Sequence, residues 1–284
     1  MKNNDPTTGV QILQAEKEYV VLCKAPGCEC EHQVPQLLAD ALGGTAQNFY
    51  CVHRLDRTVG GVMVYARSAK AAAALSAQIQ EHRFQKEYFA VVQGSVQPPR
   101  GVLQDYLYHD KRKGKAYAVK SLRKGVKQAE LEYKTLAEAI QNGETISLVW
   151  VRLHTGRFHQ IRAQFAARKM PLLGDGRYGS REKGCSTALF SCGVGFAAPA
   201  GGKEVFVRQT PPRAFPWNAF AEALYDIYKY KKGERKNGGR ASEQAGFRQN
   251  PNGQPKPDER VLRVLSQGAG AGKSFCGAGL LCSL

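Results

Sequence analysis

The 284-residue sequence contains no long apolar run. A transmembrane helix needs roughly 20 consecutive apolar residues, and neither the polar residues 1–6 nor any later segment supplies them. A secretory leader would require an apolar stretch behind a basic start. We therefore expect a cytoplasmic protein that is not bound to a membrane.

The sequence also lacks the cysteine and histidine spacing of a metal site. Its eight cysteines include no pair of C-x-x-C motifs, and the nearest approach is Cys28-Glu29-Cys30. Structural zinc sites normally use such pairs, whereas reduced cysteines otherwise behave as small apolar side chains. We expect no bound metal.

Acidic residues are scarce relative to basic ones. The chain has 24 Asp and Glu against 41 Lys and Arg, a net charge of +17. Residues 229–284 carry 11 basic and 4 acidic side chains, which leaves a net charge of +10 on residues 1–228. A chain this basic favours polyanionic partners, nucleic acids above all.

Residues 10–228 mix helix-like and strand-like patterns. The helical patterns cover residues 34–42, 68–82, a segment beginning near Phe158, and residues 217–227. The strand patterns cover residues 19–23, 61–66, 88–92, 129–135, 146–153 and 204–207. Strands often follow one another without a helical crossover, which predicts an α+β fold with a large mixed, mainly antiparallel sheet flanked by helices.

The patterns stop near Tyr230. Residues 231–260 are rich in Lys, Arg, Gly, Asn, Gln and Pro and have almost no large apolar side chains, a composition typical of disorder. We therefore expect a folded domain over residues 1–230 and a basic, Gly-rich, disordered tail over residues 231–284.

One candidate for chemistry lies in residues 51–62, Cys-Val-His-Arg-Leu-Asp-Arg-Thr-Val-Gly-Gly-Val. Asp56 stands between Arg54 and Arg57, and Gly60 and Gly61 allow a tight turn beside it. A carboxylate in such a loop is either a catalytic group or a member of a surface ion pair, and by residue type alone the ion pair is the commoner case.

A second candidate lies in residues 153–165, where a strand ends at a Thr-Gly turn and a helix begins. Helical spacing places Phe158, Ile161 and Phe165 on one buried stripe, with Arg162 beside it. A buried, unpaired charge is costly, so this position requires an acidic partner.

Less specific interpretations of these segments remain open. Arg157, His159 and Arg162 equally fit a solvated helix face. In the strand-like residues 84–94, Tyr88 is either a core residue, the usual fate of a strand tyrosine, or a ring available for stacking.

A basic cluster spans residues 111–127. Aromatic and basic side chains alternate here, which suits an RNA-facing hairpin, although a solvated loop fits equally well. The cluster consists of Lys111, Arg112, Lys113, Lys115, Lys120, Arg123, Lys124 and Lys127, with Tyr106, Tyr108 and Tyr117 interleaved.

Taken together, these segments resemble the RluA-type family of RNA pseudouridine synthases. The family's signatures are H-R-L-D, K-x-Y-x-A-x-V-x-G, T-G-R-x-H-Q-I-R and G-D-x-x-Y-G, in that order. They match residues 53–56, 86–94, 155–162 and 174–179 of this chain. The chain departs from the family where Val59-Gly60 replaces the usual Thr-Ser and where Leu189 is not followed by the usual His.

The resemblance implies a pseudouridine synthase fold with an active-site cleft across the middle of the sheet. It implies an isomerase that needs no cofactor, in which Asp56 is the catalytic carboxylate, Arg162 pairs with it, and Tyr88 stacks on a flipped uracil. The substrate-binding residues implied in the same way are Arg54, Arg157, His159 and Leu189.

The substrate implied is structured RNA, modified by a monomer, with 23S ribosomal RNA as the first expectation and transfer RNA as the alternative. A non-enzymatic alternative is an RNA-binding or assembly protein on the same fold that has lost catalysis. Such a protein would be expected to lack the aspartate, tyrosine or arginine, and all three are present in the sequence.

Overall fold

The computed structural model describes residues 9–234, which contain eleven strands and four α-helices. The strands are β1 (Val10–Ala15), β2 (Tyr19–Lys24), β3 (Tyr50–Cys51), β4 (Gly60–Ala66), β5 (Gln85–Gln93), β6 (Arg100–Asp110), β7 (Lys115–Val119), β8 (Val126–Gln141), β9 (Glu144–Leu153), β10 (Leu189–Ala197) and β11 (Glu204–Arg208). The helices are α1 (Gln33–Leu42), α2 (Ala69–Gln80), α3 (Gln160–Ala167) and α4 (Ala221–Glu234).

All eleven strands join one sheet. Its main order is β1-β2-β4-β10-β5-β9-β8-β6-β7, with β3 paired to β4 and β11 paired to β10. The parallel pairing is that of β10 with β4, and the other pairings are antiparallel. The predicted α+β class with a mixed, mainly antiparallel sheet is confirmed.

Alternate strand residues point to opposite faces of the sheet. Helices cover both of these faces. On one face, Val34 of α1 and Phe165 of α3 share a core with Tyr88 of β5. On the other face, Leu75 of α2 packs against Val64 of β4, and Leu224 of α4 belongs to a cluster with β5 and β9. Residues 86 and 88 of β5 therefore face the side covered by α1 and α3.

Local sequence explains where the helices begin. Ser68 caps α2, since its side chain accepts a hydrogen bond of 3.1 Å from the backbone N–H of Ala71. In α1, Pro35 occupies the first turn, where a missing N–H costs nothing. Among the described residues, every helix is too short or too polar to cross a bilayer.

Nearly all described residues, up to Lys231, belong to one structural unit. Helix α4 ends at Glu234, and the predicted tail beyond it lies outside the described residues. The division into a domain over residues 1–230 and a tail over residues 231–284 therefore stays a prediction.

Candidate active site

A cleft of about 520 Å³ opens over the middle of the sheet. Its floor includes Tyr88 of β5 and Leu189 of the neighbouring strand β10, both near the centre of the strand order. Its walls are residues 52–59, which precede β4, and residues 156–162, which lead into α3. The segments singled out from the sequence thus converge on one cavity.

Arg162 lies at the inner end of the cleft between two carboxylates. Its Nε and Nη2 atoms donate to Oδ2 and Oδ1 of Asp175 at 2.7 and 2.8 Å, a bidentate pair. Its Nη1 atom donates to Oδ2 of Asp56 at 2.7 Å. Arg162 and Asp175 are almost fully buried, at 5% and 1% exposure, whereas a quarter of the Asp56 side chain remains exposed to the cleft.

This arrangement keeps Arg162 charged. Burial alone would lower its pKa, but the hydrogen bonds and negative charges of Asp175 and Asp56 outweigh burial and raise the pKa well above its usual value. One guanidinium therefore faces two carboxylates, and Asp175 occupies two of its N–H groups. Asp56 is bound through one oxygen and keeps the other for the cleft.

His159 contacts Asp56 from the side. Its Nε2 atom is 3.5 Å from Oδ2 of Asp56, and its Nδ1 atom is 3.1 Å from the hydroxyl of Tyr178. Because a carboxylate only accepts hydrogen bonds, the ring proton belongs on Nε2, and the Tyr178 hydroxyl donates to Nδ1. The Tyr178 oxygen in turn accepts from the backbone N–H of Ala116 at 2.8 Å.

Burial keeps both members of this chain neutral. It lowers the pKa of His159 to about 4, against the opposing charge of Asp56, and it raises the pKa of Tyr178 to about 12. His159 also has a left-handed backbone, with φ of 50°, which is unusual for a residue other than glycine. The backbone conformation directs the ring towards Asp56 just before α3 begins.

The loop that carries Asp56 is fixed from beneath by Lys24. This lysine is fully buried, and its ammonium group donates to the carbonyls of Ala25 and Cys28, each at 3.0 Å, and of Arg57 at 3.5 Å. The backbone N–H of Gly27 also donates to the Arg57 carbonyl at 2.7 Å. The residue after Asp56 is therefore held by two donors.

Tyr88 is 5% exposed and lies in the cleft together with Asp56. Burial, followed by the charge of Asp56, raises its pKa far above the usual value, so the phenol remains protonated. In the register of the sheet, Tyr88 stands opposite Ser191 of β10. The ring is both a core residue and part of the cleft, which reconciles the two interpretations left open by the sequence.

Comparison with known proteins follows the same residues. A family model described as RNA pseudouridylate synthase matches residues 12–167, more than half of the chain. The chain belongs to the RluA-type family of RNA pseudouridine synthases. The matched region includes Asp56, Tyr88 and Arg162, while Asp175 and Tyr178 lie just beyond it.

Several curated relatives carry names from this family. A tRNA pseudouridine synthase C from Pectobacterium carotovorum is 35% identical over 168 residues, which cover 56% of this chain and 43% of that protein. A ribosomal large subunit pseudouridine synthase D from Borreliella burgdorferi is 34% identical over 128 residues, covering 45% of this chain and 37% of that protein. The matched regions span less than half of the length of each of these two proteins.

Solved structures show the same fold. The chain superposes on human RNA pseudouridylate synthase domain containing 1 with a TM-score of 0.66, covering 82% of this chain and 98% of that one at 21% identity. Human RNA pseudouridylate synthase domain containing 4 gives a TM-score of 0.58 at 21% identity, covering 76% and 92%. The predicted pseudouridine synthase fold is confirmed.

The structure brings most of the predicted site residues of this family member together. Asp56, Tyr88 and Arg162 meet in the cleft, and Arg157, His159 and Leu189 line it. Arg54 also reaches the cleft, but 65% of its side chain is exposed, and it pairs with Glu31 at 3.2 Å.

Three sequence-based interpretations are corrected. Phe158 is not on the buried stripe: it precedes α3, is 37% exposed, and lies between the rings of His109 and His159, with centroids 3.9 and 3.8 Å away. Arg162 is not on a solvated face. Gly60 and Gly61 belong to β4 rather than to a turn.

Sequence reasoning assigned no role to Asp175, Tyr178 or Lys24. Asp175 and Tyr178 are the specified Asp and Tyr of the G-D-x-x-Y-G motif. This motif could have identified them as site residues. Lys24 gave no such signal, because a lysine at the end of a strand predicts a solvated side chain. Its buried position follows from the backbone carbonyls that surround it.

Proposed function

We propose that this protein is an RNA pseudouridine synthase that isomerises specific uridines in structured RNA. The observation that carries the proposal is Asp56: a carboxylate that lines the cleft, is held through one oxygen by Arg162, and shares the cavity with the Tyr88 ring. Family membership supplies the reaction class, and the site retains the groups that the reaction needs.

The reaction requires one carboxylate and no redox partner. Asp56 either attacks C1′ of the uridine or removes a proton from the ribose to give a glycal. In both routes the N1–C1′ bond breaks, the uracil turns, and C5 bonds to C1′. This last step breaks the ester bond between Asp56 and C1′ in the first route, and in the second route the proton held by Asp56 returns to the ribose. The proton on C5 is then lost and N1 gains one, so the product is an isomer of the substrate.

A uridine in structured RNA must leave its stack before Asp56 can reach it. In the proposed complex, Tyr88 and Leu189 form the apolar floor against which the uracil stacks. Arg54, exposed at the rim, is available to fill the space that the base vacates. Arg157 and His159 complete the wall on the side of α3.

The proposal includes a monomeric, cytoplasmic enzyme that acts without metal or cofactor. A single chain supplies every group named for the reaction, which supports the monomer. The excess of 41 basic over 24 acidic residues supports a polyanionic substrate.

The test is release of tritium from RNA labelled at C5 of uridine. We expect the wild-type chain to release tritium and Asp56→Asn to be reduced by at least 1,000-fold, on the order expected for loss of a nucleophile. Asp40→Asn is the matched control, because Asp40 is an exposed carboxylate on α1 that bonds Gln36. Wild-type turnover by Asp56→Asn would show that the mechanism is wrong, and RNA binding without any release would support the non-catalytic alternative.

The identity of the RNA is a separate question. The sequence-based expectation was 23S ribosomal RNA, and relatives named after a substrate divide between transfer RNA and the large ribosomal subunit. Unmodified transcripts of both RNAs are therefore assayed side by side. Mapping of pseudouridines in cells with and without the gene then identifies the target position.

A further inference from the structure

A second cavity adjoins the active-site cleft. Its volume is about 770 Å³, and it lies between residues 79–86, from the end of α2 to the start of β5, and the end of β9 with the turn after it. Five residues line both this cavity and the cleft and mark the passage between them: the apolar Ile79 and Leu153, and Lys86, Gly156 and Arg157. We call the last three residues the junction.

The position of Lys86 follows from the alternation of β5. Lys86 precedes Tyr88 by two residues, so the two side chains face the same side of the sheet with about 7 Å between their backbone positions. Glu87, between them, points to the opposite face and pairs there with Arg152 and Arg208. The acidic residue nearest in sequence is therefore unable to neutralise Lys86.

Arg157 is anchored beside Lys86 by its own loop. Its Nε atom donates to the carbonyl of Gln128 at 2.8 Å, and its backbone N–H donates to the side chain of Gln160 at 3.0 Å. Gln160 also accepts from Thr155 at 2.8 Å. These bonds hold the turn rigidly and leave the guanidinium nitrogens beyond Nε for another acceptor.

The two cations lie close together without an acidic partner. A Cβ atom placed on Gly156 would lie 3.1 Å from Nζ of Lys86, so the ammonium group rests against the turn that carries Arg157. Within residues 9–234, neither cation forms an ion pair with a carboxylate. Glu130, the acid lining the outer cavity, accepts from Gln104 instead.

The junction concentrates positive charge. Burial, and next the charge of Arg157, lower the pKa of Lys86, and Lys86 in turn contributes to lowering the pKa of the buried His53. Two half-buried cations that repel one another are unfavourable unless an anion lies between them. An RNA strand entering the cleft brings such an anion.

We propose that Lys86 and Arg157 bind one phosphodiester group of the substrate RNA, next to the nucleotide whose base stacks on Tyr88. This inference rests on the proposed function for the identity of the ligand. The site is distinct from Asp56 and Arg162, because it holds the RNA backbone and takes no part in bond breaking. It fixes the register of the strand, so that one particular nucleotide lies over Asp56.

The test is the salt dependence of RNA binding by the full chain, measured with an unmodified transfer RNA transcript and a 23S transcript. Lys86→Met and Arg157→Met each remove one cation, and the double variant removes both. Each phosphate contact contributes roughly 0.7 to 0.9 to the slope of log Kd against log salt. Lys203→Met is the matched control, since Lys203 is exposed in the turn between β10 and β11.

We expect each single variant to weaken binding about tenfold and to lower the slope by the value of one phosphate. The double variant should lose no more slope than either single variant, because both cations hold the same phosphate. Replacing Lys86 by Met keeps its apolar stem and removes a buried charge, so the fold should stay intact. Urea unfolding of the variant and the wild type checks this.

Unchanged slopes, or a double variant that loses twice the slope of a single one, would overturn the shared site. An equal loss in Lys203→Met would also overturn it, because the effect would then report net charge. Tritium release by the wild type is measured on the same transcripts. If the variants lose slope but the wild type releases no tritium, the proposed function is refuted and the phosphate site stands. If the wild type releases tritium but the slopes are unchanged, the phosphate site is refuted and the proposed function stands.

Discussion

At the scale of single residues, His159 differs most from what its type suggests. A histidine beside a carboxylate is often protonated, yet burial lowers the pKa of His159 to about 4 despite the charge of Asp56. Its Nε2 atom lies 3.5 Å from Oδ2 of Asp56, and its Nδ1 atom is hydrogen-bonded to the Tyr178 hydroxyl. It packs beside the carboxylate without adding a positive charge there.

This neutral state makes a prediction about stability. The folded pKa of about 4 lies below the unfolded value of roughly 6.5. Protons therefore bind the unfolded chain first, and stability falls as the pH drops from about 6.5 towards 4. Between pH 7 and pH 5, His159 should lower the free energy of unfolding of the wild type by about 2 kcal/mol. This contribution should be absent in His159→Gln. Urea unfolding at both pH values measures the difference, and equal losses in the two proteins would contradict the neutral histidine.

The residue scale also shows how far sequence reasoning reached. The cost of a buried charge predicted correctly that Arg162 has an acidic partner. That argument named no partner; the family resemblance supplied Asp56, which lies 106 positions away, and neither supplied Asp175, 13 positions away. Only the folded sheet brings these three side chains within hydrogen-bonding distance.

At the scale of elements, periodicity predicted the buried strands β2, β4, β5 and β9 and the helices α1 and α2. It missed β10, although this strand lies at the centre of the sheet. Glycines at 193 and 195 interrupt its pattern, and they are needed because a Cβ at Gly195 would come within 2.7 Å of the Phe206 ring. Close strand packing thus removed the signal that identifies a strand.

The same packing argument makes Gly61 the most constrained glycine beside the loop that carries Asp56. Its φ of 124° is rare for other residues, and an added Cβ would lie 2.3 Å from the backbone oxygen of Ser191 on β10. Gly61→Ala should lower the free energy of unfolding by about 3 kcal/mol or more, from strain and overpacking combined.

Gly94→Ala is the matched control for this prediction. Gly94 also has a positive φ, of 84°, but an added Cβ there meets nothing within 4 Å. It should cost only about 1 kcal/mol, and urea unfolding of both variants measures the difference. Equal losses at the two positions would show that the close approach of β4 to β10 is not the limiting factor.

At the scale of the whole molecule, the net charge of +17 has a local focus. The predicted basic hairpin exists in the structure: β6 and β7 pair antiparallel around a turn at residues 111–114. Arg177 holds the turn through the carbonyls of Lys113 and Gly114, at 3.0 and 2.9 Å. His109, at the end of β6, stacks on Phe158, so the hairpin adjoins the wall of the cleft.

The sequence predicted the hairpin but not the contact between His109 and Phe158. This contact depends on the position of Phe158 outside α3.

The hairpin therefore supports a last prediction about RNA binding. Residues 111–113 are exposed, and their exchange for Gln leaves the backbone contacts of Arg177 in place. This triple variant should lower the salt slope of binding by up to about 2 to 3, the sum of three phosphate contacts. Turnover at saturating RNA should stay unchanged, because none of the three side chains lines the cleft.

The control variant exchanges three exposed lysines elsewhere for Gln: Lys17, Lys70 and Lys203. It should bind RNA with nearly the wild-type salt slope. If both variants lose slope equally, or neither does, the hairpin is a solvated loop and the RNA lies along another face.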